Sequence, residues 1–434
     1  LCRNTIDEKA LNIEDADLLK DTAYIIGITH DMGKATRFFQ EYIMEKDEKK
    51  KRSLKAKDVT HHGLLSAFFT YAMMKEYLSQ TGHRGGLADY LPILSFLAVK
   101  RHHGNLLNAM DEIKDIDADK EKILKLAEEQ IGSMEERKDE IQLILPTLLA
   151  RKNINIKIDT NNIINYIINN AIKDIRRKEK SFVRGLSESG NLCPYFISQF
   201  IYSALLDADK TDAGLGGVNL DRIDLSSMLV DDFRAAKGFS TSKNNINSLR
   251  NQIYEKAMER IKVWDLNEKI ISLNVPTGTG KTLAALSLSL KLKERLKNER
   301  NIKLRIIYAL PFLSIIDQNY NVFEEVILKP SASQDSRMLL KHHHLADVKF
   351  KIEESEYEVD KSLLLLEGWN AEIIVTTFWQ LFNTLFSNRN KQLRKFSKLA
   401  NSIIILDEVQ AVPHQYWPLI HDSLKLLAEK FNSY

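Results

Sequence analysis

The sequence predicts two joined folds, an all-α domain followed by a parallel α/β domain, and three observations carry that reading. Across residues 11–206 the apolar positions recur at helical spacing, as in Leu64, Leu65, Phe68, Phe69 and Ala72, and strand-like alternation is nearly absent. Beyond residue 247, short β-rich runs alternate with longer helical patterns, as in strands linked by crossover helices. Between these halves, residues 237–247 (KGFSTSKNNIN) are polar and aperiodic, as a linker between two cores should be. The expected boundaries are therefore 1–236, 237–247 and 248–434.

Size and composition agree. A chain of 434 residues predicts two or three units at roughly 150 residues each. Hydrophobic residues at 44% and charged residues at 28% exclude long disorder and fibrous repeats. With 62 Lys and Arg against 59 Asp and Glu, a nucleic-acid partner must be met by local basic patches. Cys2 and Cys193 are too few for a disulfide framework or a thiolate metal site, which fits a reducing, cytoplasmic setting. Apolar stretches such as 93–99 and 403–406 fall far short of the roughly 20 residues a membrane helix needs, and the N-terminus shows no signal-peptide pattern. Residues 153–170 are rich in Asn and Ile, yet Ile163, Ile164, Ile167 and Ile168 still mark a helix face.

In the helical half, residues 29–34 read THDMGK. A His-Asp pair alone means little, and His421-Asp422, inside a helical pattern with no Gly-Lys after it, serves as the chain's own control. The first pair differs because further candidates follow it: His61-His62 before GLLSA, His102-His103 before GN, and Asp207 and Asp209 in LLDADK. Imidazoles and carboxylates from several helices can hold two divalent transition metals about 3.5–4 Å apart, a pair suited to phosphodiester cleavage. Asp31 is the natural bridge between them.

In the α/β half, residues 270–275, 304–310, 373–376 and 403–406 read as buried parallel strands. The first runs into VPTGTGKT at 275–282, with a helical pattern (Leu283, Leu286, Leu290) behind it, which is the context of a phosphate-binding loop. Thr277, Gly278, Thr279 and Gly280 would curl backbone N–H groups around phosphate, Lys281 would reach the β and γ phosphates, and Thr282 would ligate Mg²⁺. The strand at 402–410 (SIIILDEVQ) delivers Asp407 for Mg²⁺ and Glu408 to polarise the attacking water. Val275 stands where the full loop pattern has Gly.

PTGTGKT with DEVQ is similar to the first, RecA-like motor domain of superfamily 2 helicases. ALPFLSIIDQ (309–318) and TTFWQLFNTLF (376–386) match segments that in such motors grip the single-strand backbone. Gln410 departs from the His of many relatives. The order of His and Asp in the helical half resembles the nuclease branch of the HD superfamily. HD domain followed by superfamily 2 motor is the arrangement of the CRISPR-associated helicase–nuclease of type I systems, and the KRHHG and SALLDADKTD strings look like that family.

The resemblance implies His30, Asp31, His62, His102 and His103 as metal ligands, with Asp209 preferred to Asp207. His62 is preferred to His61 because Ser66 and Ala67 follow at the family spacing, and Lys34 would neutralise charge on the scissile phosphate. It also implies nicking and degradation of single-stranded DNA, endonucleolytic and exonucleolytic, in CRISPR interference. ATP-driven translocation 3′ to 5′ would feed the strand, and a multi-subunit CRISPR surveillance complex would recruit the protein. Two ions of Mn²⁺, Fe²⁺, Co²⁺ or Ni²⁺ suit the HD site, and Mg²⁺ suits the ATP site. The family carries one more His upstream and a second motor domain with a Ser-Ala-Thr motif, so the chain reads as a fragment with an incomplete ATPase. Two rival readings are an HD phosphohydrolase of free nucleotides with a regulatory P-loop half, and a nucleotide-gated DNA-binding scaffold with a dead metal site. The basic runs 46–57 and 389–398 are candidate DNA contacts, and 342–344 is a His tract with no suitably spaced partner.

Overall fold

The computed structural model describes residues 1–134, 137–177, 184, 190–216, 221–239, 245–331, 334–343, 350–352, 355–356 and 359–434. Of the predicted linker, residues 240–244 lie outside this set, as does His344 of the His tract. The chain divides into two compact units. One comprises 1–8, 14–209 and 388–397, and the other 9–13, 210–387 and 398–434.

The described part of the first unit is helical. Its centre is the helix Gly63–Thr81, buried without a break from Leu65 to Met74. Apolar on all sides, such a helix is stable only when neighbours surround it. Ala16–Thr29 and Leu91–Lys100 are among them. The hydroxyls of Thr29 and Thr70 meet at 2.8 Å, and the rings of Phe68 and Phe96 lie 5.4 Å apart. Pro92 sits in the first turn of Leu91–Lys100, where its missing N–H costs nothing. These helices end together at one place: His30 caps the C-terminus of Ala16–Thr29, His62 caps the N-terminus of Gly63–Thr81, and His102 and His103 follow Lys100. Asp209 stands on the helix Cys193–Leu215.

The second unit holds a four-stranded parallel sheet in the order β2-β5-β1-β6. Its strands are β1 (Arg305–Leu310), β2 (Leu339–His342), β5 (Ile373–Thr377) and β6 (Ser402–Leu406). Two short strands, β3 (Lys351–Ile352) and β4 (Ser355–Glu356), form a separate antiparallel pair. Three of the predicted strands are thus present. The fourth, 270–275, makes no ladder. The edge of β6 is bonded by Tyr434 instead, whose N–H donates to Ser402 O and whose carbonyl accepts from Ile404 N, both at 2.9 Å. A cavity of about 410 Å³ lined by residues 269–273 and β6 separates the two segments.

The basic run 389–398 also departs from expectation. Arg389 and Lys391 are exposed, but Arg394 and Lys395 are wholly buried and Lys398 nearly so. Arg394 ends on Asp207 at 2.9 Å and Lys395 on Gln392 at 2.6 Å, so these cations are spent inside the protein rather than offered to DNA.

Phe96 is fully buried against Phe68 and Tyr71. Phe96→Ala should destabilise the helical unit by about 3–5 kcal/mol, read as a lowered denaturant midpoint for that unit.

Candidate metal centre and nucleotide site

Asp31 joins two ligand groups in the helical unit. Asp31 with His62, His102 and His103 forms one set whose ligand atoms lie mutually within 4.8 Å, and Asp31 with His30 and Asp209 forms the other. Asp31 Oδ1 lies 3.2 Å from His62 Nε2 and 3.6 Å from His102 Nε2, while Oδ2 lies 3.3 Å from His30 Nε2. His103 Nε2 meets His62 Nε2 at 3.0 Å, and Asp209 Oδ1 is 3.7 Å from His30 Nε2. Two ligands about 2.1 Å from one ion at roughly tetrahedral or square angles are about 3.0–3.4 Å apart, close to this spacing.

The donor chemistry fits a divalent ion. His30 and His102 each direct Nδ1 at a backbone carbonyl, of Gly27 at 2.9 Å and Val99 at 2.6 Å. A carbonyl only accepts, so Nδ1 carries the proton and the Nε2 lone pair of each ring is free for metal. Asp31 Oδ1 and His102 Nε2 are buried without a hydrogen-bond partner among the described residues. Buried polar atoms left this way carry a desolvation cost that an ion between them would remove.

Local sequence builds this geometry. A Cβ on Gly33 would sit 2.5 Å from the His62 carbonyl oxygen, so only glycine lets the His-Asp turn lie against His62. Gly33 N–H donates to Ser66 Oγ at 2.9 Å, locking the turn to the first helical turn after His62. Lys34 Nζ lies 2.7 Å from Asp31 Oδ2, and the Phe39 ring packs 5.0 Å from the His62 ring. His61 points elsewhere, with Nε2 3.1 Å from Lys55 O, and Asp207 faces Arg394. His421 is exposed, with Nδ1 3.1 Å from its neighbour Asp422.

Burial alone would raise the Asp31 carboxyl. The imidazoles of His102 and His62 and the charges of His30 and Lys34 outweigh it and hold the group well below the usual carboxylate range. Asp209 is lowered chiefly by its contact with His30. Burial opposes a charge on His30, but Asp209 and Asp31 together raise it above the ordinary imidazole value. His103 is pushed down to about 4 by burial and by the neighbouring rings of His102 and His62, and His62 is lowered mainly by burial.

The candidate nucleotide site lies in the second unit. Gly278 and Gly280 adopt left-handed backbone (φ +76° and +85°), and Gly280 caps the helix Lys281–Arg300. Thr277 is exposed, and Thr279 donates to Pro276 O at 2.6 Å. Lys281 Nζ bridges Asp407 Oδ1 at 2.8 Å and Glu408 Oε1 at 2.7 Å. Burial lowers the Lys281 ammonium, but the two carboxylates more than compensate and leave it raised. Gln410 donates to Glu408.

Several contributors had no recognisable signal in the sequence. Tyr308, read only as strand core, donates to Asp407 Oδ2 at 2.7 Å. Asn319 Oδ1 accepts from the Thr282 hydroxyl at 3.2 Å, and Arg250 donates to the Gly278 carbonyl at 2.8 Å. Each comes from another element, so no local motif marks it. Of the His tract, His342 lies on β2 beside Trp369, and neither His342 nor His343 joins a metal-capable group among the described residues.

Comparison with known proteins agrees with both halves. Residues 2–156 match the family model "Cas3, HD domain", and residues 243–433 match "Type III restriction enzyme, res subunit". A curated relative, the Haloferax volcanii CRISPR-associated nuclease/helicase Cas3, is 31% identical over 199 residues, 43% of this chain and 21% of its own length. The crystal structure of T. fusca Cas3 superposes with a TM-score of 0.52 at 15% identity, covering 98% of this chain and 45% of that one. Its ATP complex gives 0.51 at 16% identity, covering 98% and 44%. The chain therefore spans about a fifth of the curated relative and under half of the solved chains.

Two outcomes follow from the geometry. Metal needs neutral imidazole, and His30 is raised above the ordinary imidazole value by Asp209 and Asp31. Affinity for Mn²⁺ should therefore be full above the raised His30 value and fall as pH drops through it. His103, at about 4, should add competition only in acid, and calorimetric titration at falling pH checks the order. Gly33→Ala forces its methyl onto the His62 backbone and should weaken Mn²⁺ binding by about 10-fold or more, whereas Gly104→Ala, with no atom closer than 3.9 Å, should not.

Proposed function

We propose that this chain, which joins a Cas3-type HD domain to a helicase domain in the arrangement of CRISPR helicase–nuclease fusions, cleaves single-stranded DNA at the Asp31 centre. In this reading the nuclease domain is 1–236, the linker 237–247 and the motor domain 248–434. The observation that supports the reading is the pair of buried atoms Asp31 Oδ1 and His102 Nε2, 3.6 Å apart and without a hydrogen-bond partner among the described residues, ringed by four further candidate ligand side chains.

His62, His102 and His103 would hold one divalent transition ion and His30 and Asp209 a second, with Asp31 between them. Mn²⁺, Fe²⁺, Co²⁺ and Ni²⁺ suit this mixed imidazole and carboxylate set. Bound there, the pair supplies an activated water and stabilises the leaving oxygen. Asp31 stays ionised throughout, because its neighbours hold its carboxyl so low. Lys34 rests on Asp31 Oδ2, and transfer of its ammonium to a bound phosphate would neutralise charge as the bond breaks.

At the nucleotide site, ATP with Mg²⁺ would draw Lys281 away from Asp407 and Glu408, since the β and γ phosphates offer it a stronger anion. Asp407 and Thr282 would then be free to ligate Mg²⁺. Glu408 would be free to orient the attacking water, with Thr277, Gly278, Thr279 and Gly280 wrapping the phosphates. Turnover at this site would move single-stranded DNA 3′ to 5′ toward the HD centre. The setting is cytoplasmic CRISPR interference, with recruitment by a multi-subunit surveillance complex. Among the described residues no helix is long and apolar enough to cross a membrane.

Labelled single-stranded DNA and free nucleotides, incubated separately with Mn²⁺ or Ni²⁺, test the nuclease reading. DNA cleavage is expected, with Asp31→Ala reducing it by at least the ~100-fold that losing even an outer partner of a metal ligand can cost. Hydrolysis of nucleotides alone would contradict it. Lys281→Ala should weaken ATP binding about 10-fold or more, a charge-assisted contact of about 1.5–3 kcal/mol, while leaving metal-dependent nicking intact.

A further inference from the structure

Residues 388–397 fall inside the stretch that matches the restriction-enzyme helicase model, yet they fold as part of the helical unit. There they reach both elements that present ligands from the C-terminal side of the His cluster.

The first is the turn carrying His102 and His103. Asn390 Nδ2 donates to the carbonyls of His102 and Gly104, each at 3.1 Å. Leu106 N–H donates to Asn388 O at 2.9 Å, and Asn390 N–H to Asn105 Oδ1 at 3.1 Å. The second is the helix Cys193–Leu215, which carries Asp209. Arg394 Nε donates to Asp207 Oδ1 at 2.9 Å, with Arg394 fully buried and Asp207 8% exposed. Ser203 Oγ donates to Arg394 O at 2.9 Å and accepts from Ser397 N–H at 2.8 Å. Tyr202, on the same helix, donates to the carbonyls of Arg101 and Gly104, which ties the two elements to each other.

Helical phase gives these contacts their consequence. Residues two apart on a helix point about 200° apart, so Asp207 and Asp209 face nearly opposite directions. A buried carboxylate must keep its partner, and Arg394 therefore fixes which way the helix is turned. With Asp207 held by Arg394, Asp209 is the carboxylate presented to His30.

We propose that 388–397 is a clamp that positions the metal ligands. Arg394 sets the rotation of Cys193–Leu215 for Asp209, and Asn390 sets the turn for His102 and His103. Both are positioning residues that touch no metal. The inference rests on the metal-centre reading above. It also gives the buried basic run a purpose: a stretch of helicase sequence completes the nuclease site.

The test uses the full chain as wild type, Asn390→Ala and Arg394→Lys. Lysine keeps a cation beside Asp207 but lacks the planar fork. Mn²⁺ affinity, the visible spectrum of the Co²⁺-loaded protein, ATP affinity and thermal midpoint are measured together. The clamp predicts a loss of about 10–100-fold in Mn²⁺ affinity and altered Co²⁺ bands in each variant, with ATP affinity unchanged. Should Arg394→Lys fail to fold, Asn390→Ala decides. Wild-type affinity and spectrum in a folded Asn390→Ala chain overturn the proposal. No Mn²⁺ binding by the wild type would instead bring down the metal centre, and the clamp with it.

Discussion

The helical unit is organised around one carboxylate. Asp31 is packed among imidazoles on both sides, and its two oxygens face different sets of ligands. A lone charge half-buried in this way is costly to keep. It is tolerable because four imidazoles and the Lys34 ammonium surround it, delivered by the turn 30–34, the start of Gly63–Thr81 and the turn after Lys100. The convergence of three helix ends and of the helix Cys193–Leu215 on one point follows from that requirement. The apolar helix Gly63–Thr81 supplies the rigid post against which those ends are fixed.

The nucleotide site meets the same constraint with the opposite sign. There a cation, Lys281, is held between two carboxylates. Tyr308 pins the far oxygen of Asp407, and burial together with that carboxylate keeps the phenol protonated as a donor. The charged side chains expected to meet phosphate and Mg²⁺, Lys281 and Asp407, are thus already paired with each other. In the proposed reading a bound nucleotide would exchange these internal pairs for its own.

Much of this was legible in the sequence where the chemistry is local. THDMGK and PTGTGKT declare themselves because each motif's glycines and ligands lie within one turn, and Gly33 shows the steric reason for its place. The all-α and parallel α/β classes were readable from periodicity. What escaped depends on distant partners. Spacing alone could not choose between Asp207 and Asp209, since helix rotation is set by Arg394, far along the chain. A basic run reads the same whether solvated or buried, so the burial of Arg394 and Lys395 was invisible. Residues 270–275 had the composition of a strand, but a strand needs a neighbour, and at the edge of β6 Tyr434 makes those bonds.

In the proposed centre Asp31 is shared between two metal positions. Anomalous diffraction from crystals soaked with Mn²⁺ addresses it directly. Two peaks flanking the Asp31 carboxylate are expected, one among His62, His102 and His103 and the other beside His30 and Asp209. No peak there, or peaks away from Asp31, would contradict it.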